Sequence, residues 1–336
     1  MPHTKLRKIE IEDFTIRRPR NGRPIKVGNG KAQSISRNEK KRIEKLAIPP
    51  AWRDVRISAD SRSHIQAVGR DEAGRRQYIY HRDWEIVRSR AKARRLCKLI
   101  GAMPRIRRAI ARDLDRSGNR RVLATAARLV ERLCLRAGHE EYAGEESGRG
   151  AATLLGKHVQ VAGALVTFEF PGKSKKRIAA HMVDRKVARN IASFRKTAGS
   201  RLFRLETSNG HRAMTATDLN SYLARIAGCD ISAKDFRTLR ASTVALERLR
   251  RVPVKTPAEK KRILVAVCKE VAGILRNTAA VTRTSYIHSS IISAYQDEAL
   301  TCREISLGGC NKSERRLLGF LRRENSTKQM SRPARR

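Results

Sequence analysis

Arg136, Lys173, Arg237, Asn277 and Tyr286 stand in the strings LRAGHEEYA, FEFPGKSKKR, AKDFRTLRAS and RNTAAVTRTSY, a dispersed set that ends in one tyrosine. Fixed positive charges beside a phenol are what a protein needs to cut a phosphodiester by covalent attack without a metal. Charge builds on the non-bridging oxygens as attack proceeds, and planar guanidinium groups can hold both. A free phenol has a pKa near ~10, so roughly one part in a thousand is ionised at neutral pH. Such a nucleophile needs cations close enough to favour its charged form.

The elements that must carry these residues are legible from periodicity. Between Arg120 and Arg136, the residues Val122, Leu123, Ala126, Leu129, Val130, Leu133 and Cys134 fall on one stripe, which predicts an amphipathic helix with Arg136 at its C-terminal end. KHVQVAG and ALVTFEF alternate about an Ala-Gly turn and KKRIAAHMV supplies a third strand, so Lys173 falls in the turn after the second. ATDLNSYLARIAG, AKDFRTLRASTVALERLRR and PAEKKRILVAVCKEVAGILR read as helices, with RVPVKTP a short linker between the last two.

Nearer the N-terminus, SRNEKKRIEKL reads as a short helix capped by Ser36. VRISAD, HIQAVGRD and RRQYIYH read as a small antiparallel sheet, with DEAG as the turn of its second hairpin, and helical pattern begins near Trp84. The expected fold class is therefore α+β. Residues 1–30 are expected to be a flexible basic arm and 31–90 a small β-rich DNA-binding domain. Residues 91–300 should form a larger, mainly helical catalytic domain with a small antiparallel sheet, and 301–336 a basic extension. In that extension SERRLLGFLRRE has the pattern of one more helix, while NSTKQMSRPARR is polar enough to be disordered.

Composition names the partner class. The chain has 336 residues, 75 of them Lys or Arg against 32 acidic, for a formal net charge of +43. A globular protein with that imbalance repels itself unless a polyanion neutralises it, which points to nucleic acid and to steeply salt-dependent binding. The cations run the length of the chain without gathering beside bulky apolar faces, no stretch approaches the roughly 20 apolar residues of a membrane span, and the first residues lack the apolar run of a signal peptide. The expected location is the cytoplasm, at the nucleoid. The six cysteines are widely spaced with no C-x-x-C, which fits free thiols in a reducing compartment and neither a disulfide frame nor a zinc site.

The strings quoted above resemble the type IB DNA topoisomerases, and among them the small bacterial and poxvirus-like enzymes, over Ile48 to His288. The resemblance implies the catalytic fold shared by tyrosine recombinases and topoisomerases IB, closing as a clamp on duplex DNA, most simply as a monomer. It assigns the active site to the arginine of R-x-G (Arg136), the lysine of the F-x-G-K hairpin (Lys173), the arginine of K-D-F-R-T (Arg237), a polar residue shortly before the tyrosine (Asn277), and Tyr286. Physical roles fit these types. Arg136 and Arg237 grip the non-bridging oxygens, Lys173 protonates the departing 5′ oxygen, and Asn277 donates a neutral hydrogen bond. Because the tyrosyl ester is again a phosphodiester, cleavage is nearly isoenergetic, and neither cofactor nor metal is expected. The chain departs from the family pattern at His139, where Asn is more usual, and at Leu239 and Arg240, where an aromatic and a small residue are.

The resemblance also makes RRQYIY a DNA-reading strand. Arg75, Arg76, Gln77, Tyr78 and Tyr80 crowd it, with Tyr78 and Tyr80 on one face and Arg or Gln beside them able to read base edges. Lys175 and Lys234 complete the predicted DNA-binding set. Taken singly, each of these residues has a plainer reading, a solvated cation or a half-buried aromatic. It is the five matched contexts together that carry the assignment.

Other motif matches fail. GKS at Gly172 lacks the glycine of a phosphate-binding loop, Thr167 standing in its place, and HRDW at His81 has Arg88 where a kinase has its metal-binding Asn. Two rivals remain at this stage. A tyrosine recombinase would carry an H-x-x-R box, absent between Lys255 and Tyr286. A non-catalytic DNA-compacting protein would form no covalent adduct with DNA.

Overall fold

The computed structural model describes residues 6–19, 24–28, 31–142, 148–172, 177–195, 199–252 and 256–330. The chain divides into two units, residues 1–90 and 91–336. The first is built on a six-stranded antiparallel sheet: β1 (Ile16–Arg18), β2 (Ile25–Gly28), β3 (Lys31–Gln33), then α1 (Arg37–Lys45), β4 (Arg53–Ile57), β5 (Ile65–Arg70) and β6 (Arg76–Tyr80), in the order β3-β2-β1-β4-β5-β6. The cap expected at Ser36 is present and is a full capping box, with Glu39 N–H bonded to Ser36 Oγ at 3.2 Å and Ser36 N–H returned to the Glu39 carboxylate at 3.0 Å. The DEAG turn joins β5 to β6, with Gly74 at φ +74 and its N–H on the Asp71 carbonyl at 2.9 Å.

One expectation is overturned here. The segment read as a flexible arm contributes β1 and β2 to the sheet. Ile16 is 0 % exposed and pairs with Lys26 on one side and Ile57 on the other. The Arg18 guanidinium donates to the carbonyls of Pro49 at 2.8 Å and Trp52 at 2.9 Å. A strand of three residues is too short to show alternation, and one of its two partners, β4, lies about 40 residues away. Ile16, Ile43, Val55, Ile57 and Ala67 form the core of this unit, with Trp52 packed against them.

The second unit begins within α2 (Trp84–Asp113) and continues through α3 (Gly118–Leu133). A three-stranded antiparallel sheet follows, of β7 (Val159–Ala162), β8 (Leu165–Pro171) and β9 (Arg177–Val183) in that order. Next come α4 (Arg185–Phe194), the hairpin β10 (Arg204–Thr207) and β11 (Gly210–Ala213), α5 (Ala216–Ala227), α6 (Ala233–Leu249) and α7 (Pro257–Leu275). A one-turn α8 (Ala279–Val281) runs into a π-helical turn at Thr282–Tyr286, and α9 (Ser289–Gln296) and α10 (Lys312–Met330) close the chain. The α3 stripe is buried at Val122, Ala126, Leu129 and Val130, each side chain contributing on the order of 1 to 3 kcal/mol by leaving water.

α10 reaches Met330, beyond the point where the tail was expected to lose order; Gly319 lies within it and no proline occurs between Lys312 and Pro333, so nothing in Asn325–Met330 stops the helix. Leu317, Leu318, Phe320 and Leu321 bury its apolar face. Arg107 of α2 ties it down, bonding Glu131 of α3 at 3.0 Å and Glu314 of α10 at 2.6 Å. Among the described residues, no helix is long and apolar enough to cross a membrane.

Candidate active site

Arg136 lies just past the end of α3, where Cys134 takes the left-handed conformation at φ 55. Its backbone is clamped by a crossing 3-10 turn at Ala151–Thr153: the Arg136 carbonyl accepts Ala151 N–H at 2.8 Å and the Ala137 carbonyl accepts Ala152 N–H at 2.7 Å. Gly138, at φ +88, and Gly150 meet at the crossing, where a Cβ on Gly150 would fall 2.5 Å from Gly138 N. The glycine of R-x-G is thus required by a contact between two backbones.

Arg237, on α6 and only 3 % exposed, joins two helix ends. It donates to the carbonyl of Cys134 after α3 and, at 2.9 Å, to that of Leu275 at the end of α7. These are orphan acceptors that helix geometry leaves open, and a charged donor satisfies each. Arg276, left-handed at φ 55, does the same for Leu133 at 3.0 Å. That turn brings Asn277 round, with its N–H on the Ala272 carbonyl at 2.9 Å. Asn277 Oδ1 accepts a short hydrogen bond from Arg136, while its Nδ2 is buried without a partner among the described residues.

Tyr286 ends the π turn, a form that inserts one residue into a helix and is frequent at functional sites. Lys92 of α2 fastens the backbone on either side, donating to Ser285 at 3.0 Å and Ile287 at 3.2 Å, and Ser242 of α6 receives His288 N–H at 3.1 Å. The half-buried ring lies 4.9 Å from the Arg237 guanidinium carbon. Burial alone would raise the phenol's pKa. The nearby charges of Arg237 and Arg136 outweigh it, and the phenol titrates below its ordinary value. Burial and the neighbouring Arg237 charge in turn lower the pKa of Arg136.

Arg136, Arg237, Asn277 and Tyr286 therefore converge. Lys173 and Lys175 lie outside the described residues; the strands flanking them pair as far as Pro171 opposite Arg177. Lys234 is exposed on α6, one turn before Arg237. Lys92, Ser242 and Arg276 escaped sequence reasoning. Lys92 sits among many cations, Ser242 is one serine in a helix, and only adjacency to Asn277 could have flagged Arg276.

In the first unit, Tyr78 and Tyr80 share a face of β6 at 36 % and 44 % exposure, their rings stacked 5.9 Å apart, and Trp84 continues the stack 6.2 Å from Tyr80. Arg76 alternates onto that face. Gln77 and Arg75 do not join it, since both side chains bond Asp71 in the turn, at 2.8 and 2.9 Å. A basic recess of about 610 Å³, lined among others by Arg17, Arg53, Arg56, Arg70 and Arg76, also escaped the sequence reading because its arginines come from four strands.

Comparisons with known proteins agree on one family. The family model described as eukaryotic DNA topoisomerase I, catalytic core, matches residues 82–306, and that described as bacterial DNA topoisomerase IB, N-terminal domain, matches residues 29–71. The chain is 30% identical over 277 residues to DNA topoisomerase 1B of Acanthamoeba polyphaga mimivirus, spanning 79% of this chain and 82% of that protein. It is 29% identical over 194 residues to DNA topoisomerase 1 of Schizosaccharomyces pombe, spanning 54% of this chain and 23% of that longer protein. With a family model over about two thirds of its length and a relative matched over about four fifths of both chains, the chain belongs to the type IB DNA topoisomerase family.

Proposed function

We propose that this chain relaxes supercoiled duplex DNA by transient single-strand cleavage, with Tyr286 as the nucleophile. The observation that carries the reading is the phenol itself, set 4.9 Å from the buried Arg237 guanidinium and held below its ordinary pKa. Tyr286 Oη, its proton passed to water, attacks the scissile phosphorus. A 3′-phosphotyrosyl bond forms as the bond to the 5′ oxygen breaks. Arg136 and Arg237 hold the non-bridging oxygens, where charge develops, and the spare donor of Asn277 adds a neutral hydrogen bond.

Lys173, which falls between β8 and β9 in sequence, delivers a proton to the departing 5′ oxygen. One phosphodiester replaces another, so the strand is resealed by the reverse reaction without ATP, and torsion turns the free end meanwhile. Arg76, Tyr78 and Tyr80 contact the duplex, with Lys175 and Lys234 on its backbone. Plasmid relaxation without ATP and with chelator tests the reading: the native chain should relax DNA and form a denaturant-stable adduct, and Tyr286→Phe should do neither. Adduct formation by Tyr286→Phe would remove Tyr286 from the role of nucleophile.

A further inference from the structure

Arg240, one of the departures from the family pattern, opens a second site. Leu239 is buried in the core, while Arg240 emerges to line a recess of about 370 Å³ together with Arg132, Arg177 and Arg276. Each of these arginines neighbours a candidate catalytic residue in sequence: Arg132 precedes Arg136 by four, Arg177 follows Lys173 by four, Arg240 follows Arg237 by three, and Arg276 adjoins Asn277. The recess also shares the turn Leu133–Cys134, whose carbonyls are already occupied by Arg276 and Arg237.

Charge in this recess is poorly balanced. No Asp or Glu lines it. Arg177 is offset by its ion pair with Glu169. Arg276 bonds only the backbone carbonyls of Leu133 and Ala179, and among the described residues Arg132 and Arg240 have no carboxylate partner. Three guanidinium groups thus converge on one concavity of a size suited to a small ligand. Each phosphate of a DNA strand brings a single negative charge to such a place. A compact oligophosphate concentrates several, with oxygens that match the guanidinium forks.

We propose that this recess is a binding site for a compact oligophosphate anion, separate from the DNA-cleaving centre. Calorimetric titration of the full-length chain with sodium tripolyphosphate, in the absence of DNA and magnesium, tests it. The expected result is saturable binding at one site, weakened by about tenfold or more in Arg132→Ala/Arg240→Ala. Arg262→Ala/Lys269→Ala, which removes the same charge from the exposed face of α7, should leave it intact.

The thermal transition of each variant reports its folding, and Arg240→Ala alone serves if the double variant loses its native transition. Absence of tripolyphosphate binding, equal weakening in both double variants, or undiminished binding in folded Arg240→Ala would overturn the proposal. So would an effect of the recess variants confined to DNA affinity, since the occupant would then be the DNA backbone. The titration contains no DNA, so its outcome is independent of the relaxation reading.

Discussion

Gly150→Ala probes how tightly chemistry depends on the crossing of two backbones beside Arg136. The added Cβ would lie 2.5 Å from Gly138 N, 2.6 Å from the Arg136 carbonyl oxygen and 2.6 Å from Gly138 Cα. All three are backbone atoms, so no side chain can swing aside and the two segments must part. Parting them breaks the bonds of 2.8 Å and 2.7 Å from Ala151 and Ala152 to the Arg136 and Ala137 carbonyls. Two such bonds at about 1 kcal/mol each, with about 1–3 kcal/mol for overpacking, give an expected loss of about 3–5 kcal/mol.

Arg136 moves with its backbone, and a shift of ~1 Å in a catalytic group lowers a rate by about a hundredfold. Urea unfolding and single-turnover cleavage of a duplex read the two effects separately, the second corrected for the folded fraction. Gly101→Ala is the internal control: nothing lies within 4 Å of its added Cβ. Since the position is inside α2, a gain of about 0.5–1 kcal/mol is expected there. A Gly150→Ala chain with the urea midpoint and cleavage rate of the native protein would refute the reasoning.

Three further outcomes follow from the electrostatics. The folded phenol of Tyr286 titrates below its ordinary value of 10, so single-turnover cleavage should begin its alkaline rise below the usual tyrosine range, and Arg136→Ala should move that rise to higher pH. In the same window the unfolded chain holds a proton that the folded chain has lost, so stability should grow as pH climbs from the folded pKa towards 10; Tyr286→Phe should abolish that slope in urea titrations across pH. Arg107→Ala leaves the carboxylates of Glu131 and Glu314, each about 5 % exposed, without their shared cation, and should cost about 3–5 kcal/mol by chemical denaturation.

What was legible in the sequence was what local chemistry decides. The α3 stripe, the Ser36 cap, the DEAG turn and the β7–β8 hairpin each rest on residues a few positions apart, and the structure carries all of them. Strand parity correctly put Tyr78 and Tyr80 on one face. The same parity sends Gln77 to the other, where Asp71 captures it. The three-residue strand β1 was beyond reach because its own pattern is too brief to read and one of its two partners, β4, is remote in sequence. The same holds for the props of the tyrosine: Lys92 and Ser242 act on backbone atoms almost 200 and about 45 residues away, and nothing in their own surroundings in sequence announces it. The departure at Arg240 was visible from the start, but its meaning needed three other arginines to be brought beside it.

The π turn at Thr282–Tyr286 makes the aim of the tyrosine a matter of counting. Each residue added to or taken from a helix rotates everything after it by about 100°. Shortening this stretch by one residue would let it relax to ordinary α-helix while keeping every side chain named in the site, yet the hydroxyl would swing away from Arg237 towards another quadrant. Composition at the site and bearing of the proposed nucleophile are therefore separable properties of this chain, and an insertion or deletion in these five residues should abolish cleavage as completely as the loss of the tyrosine.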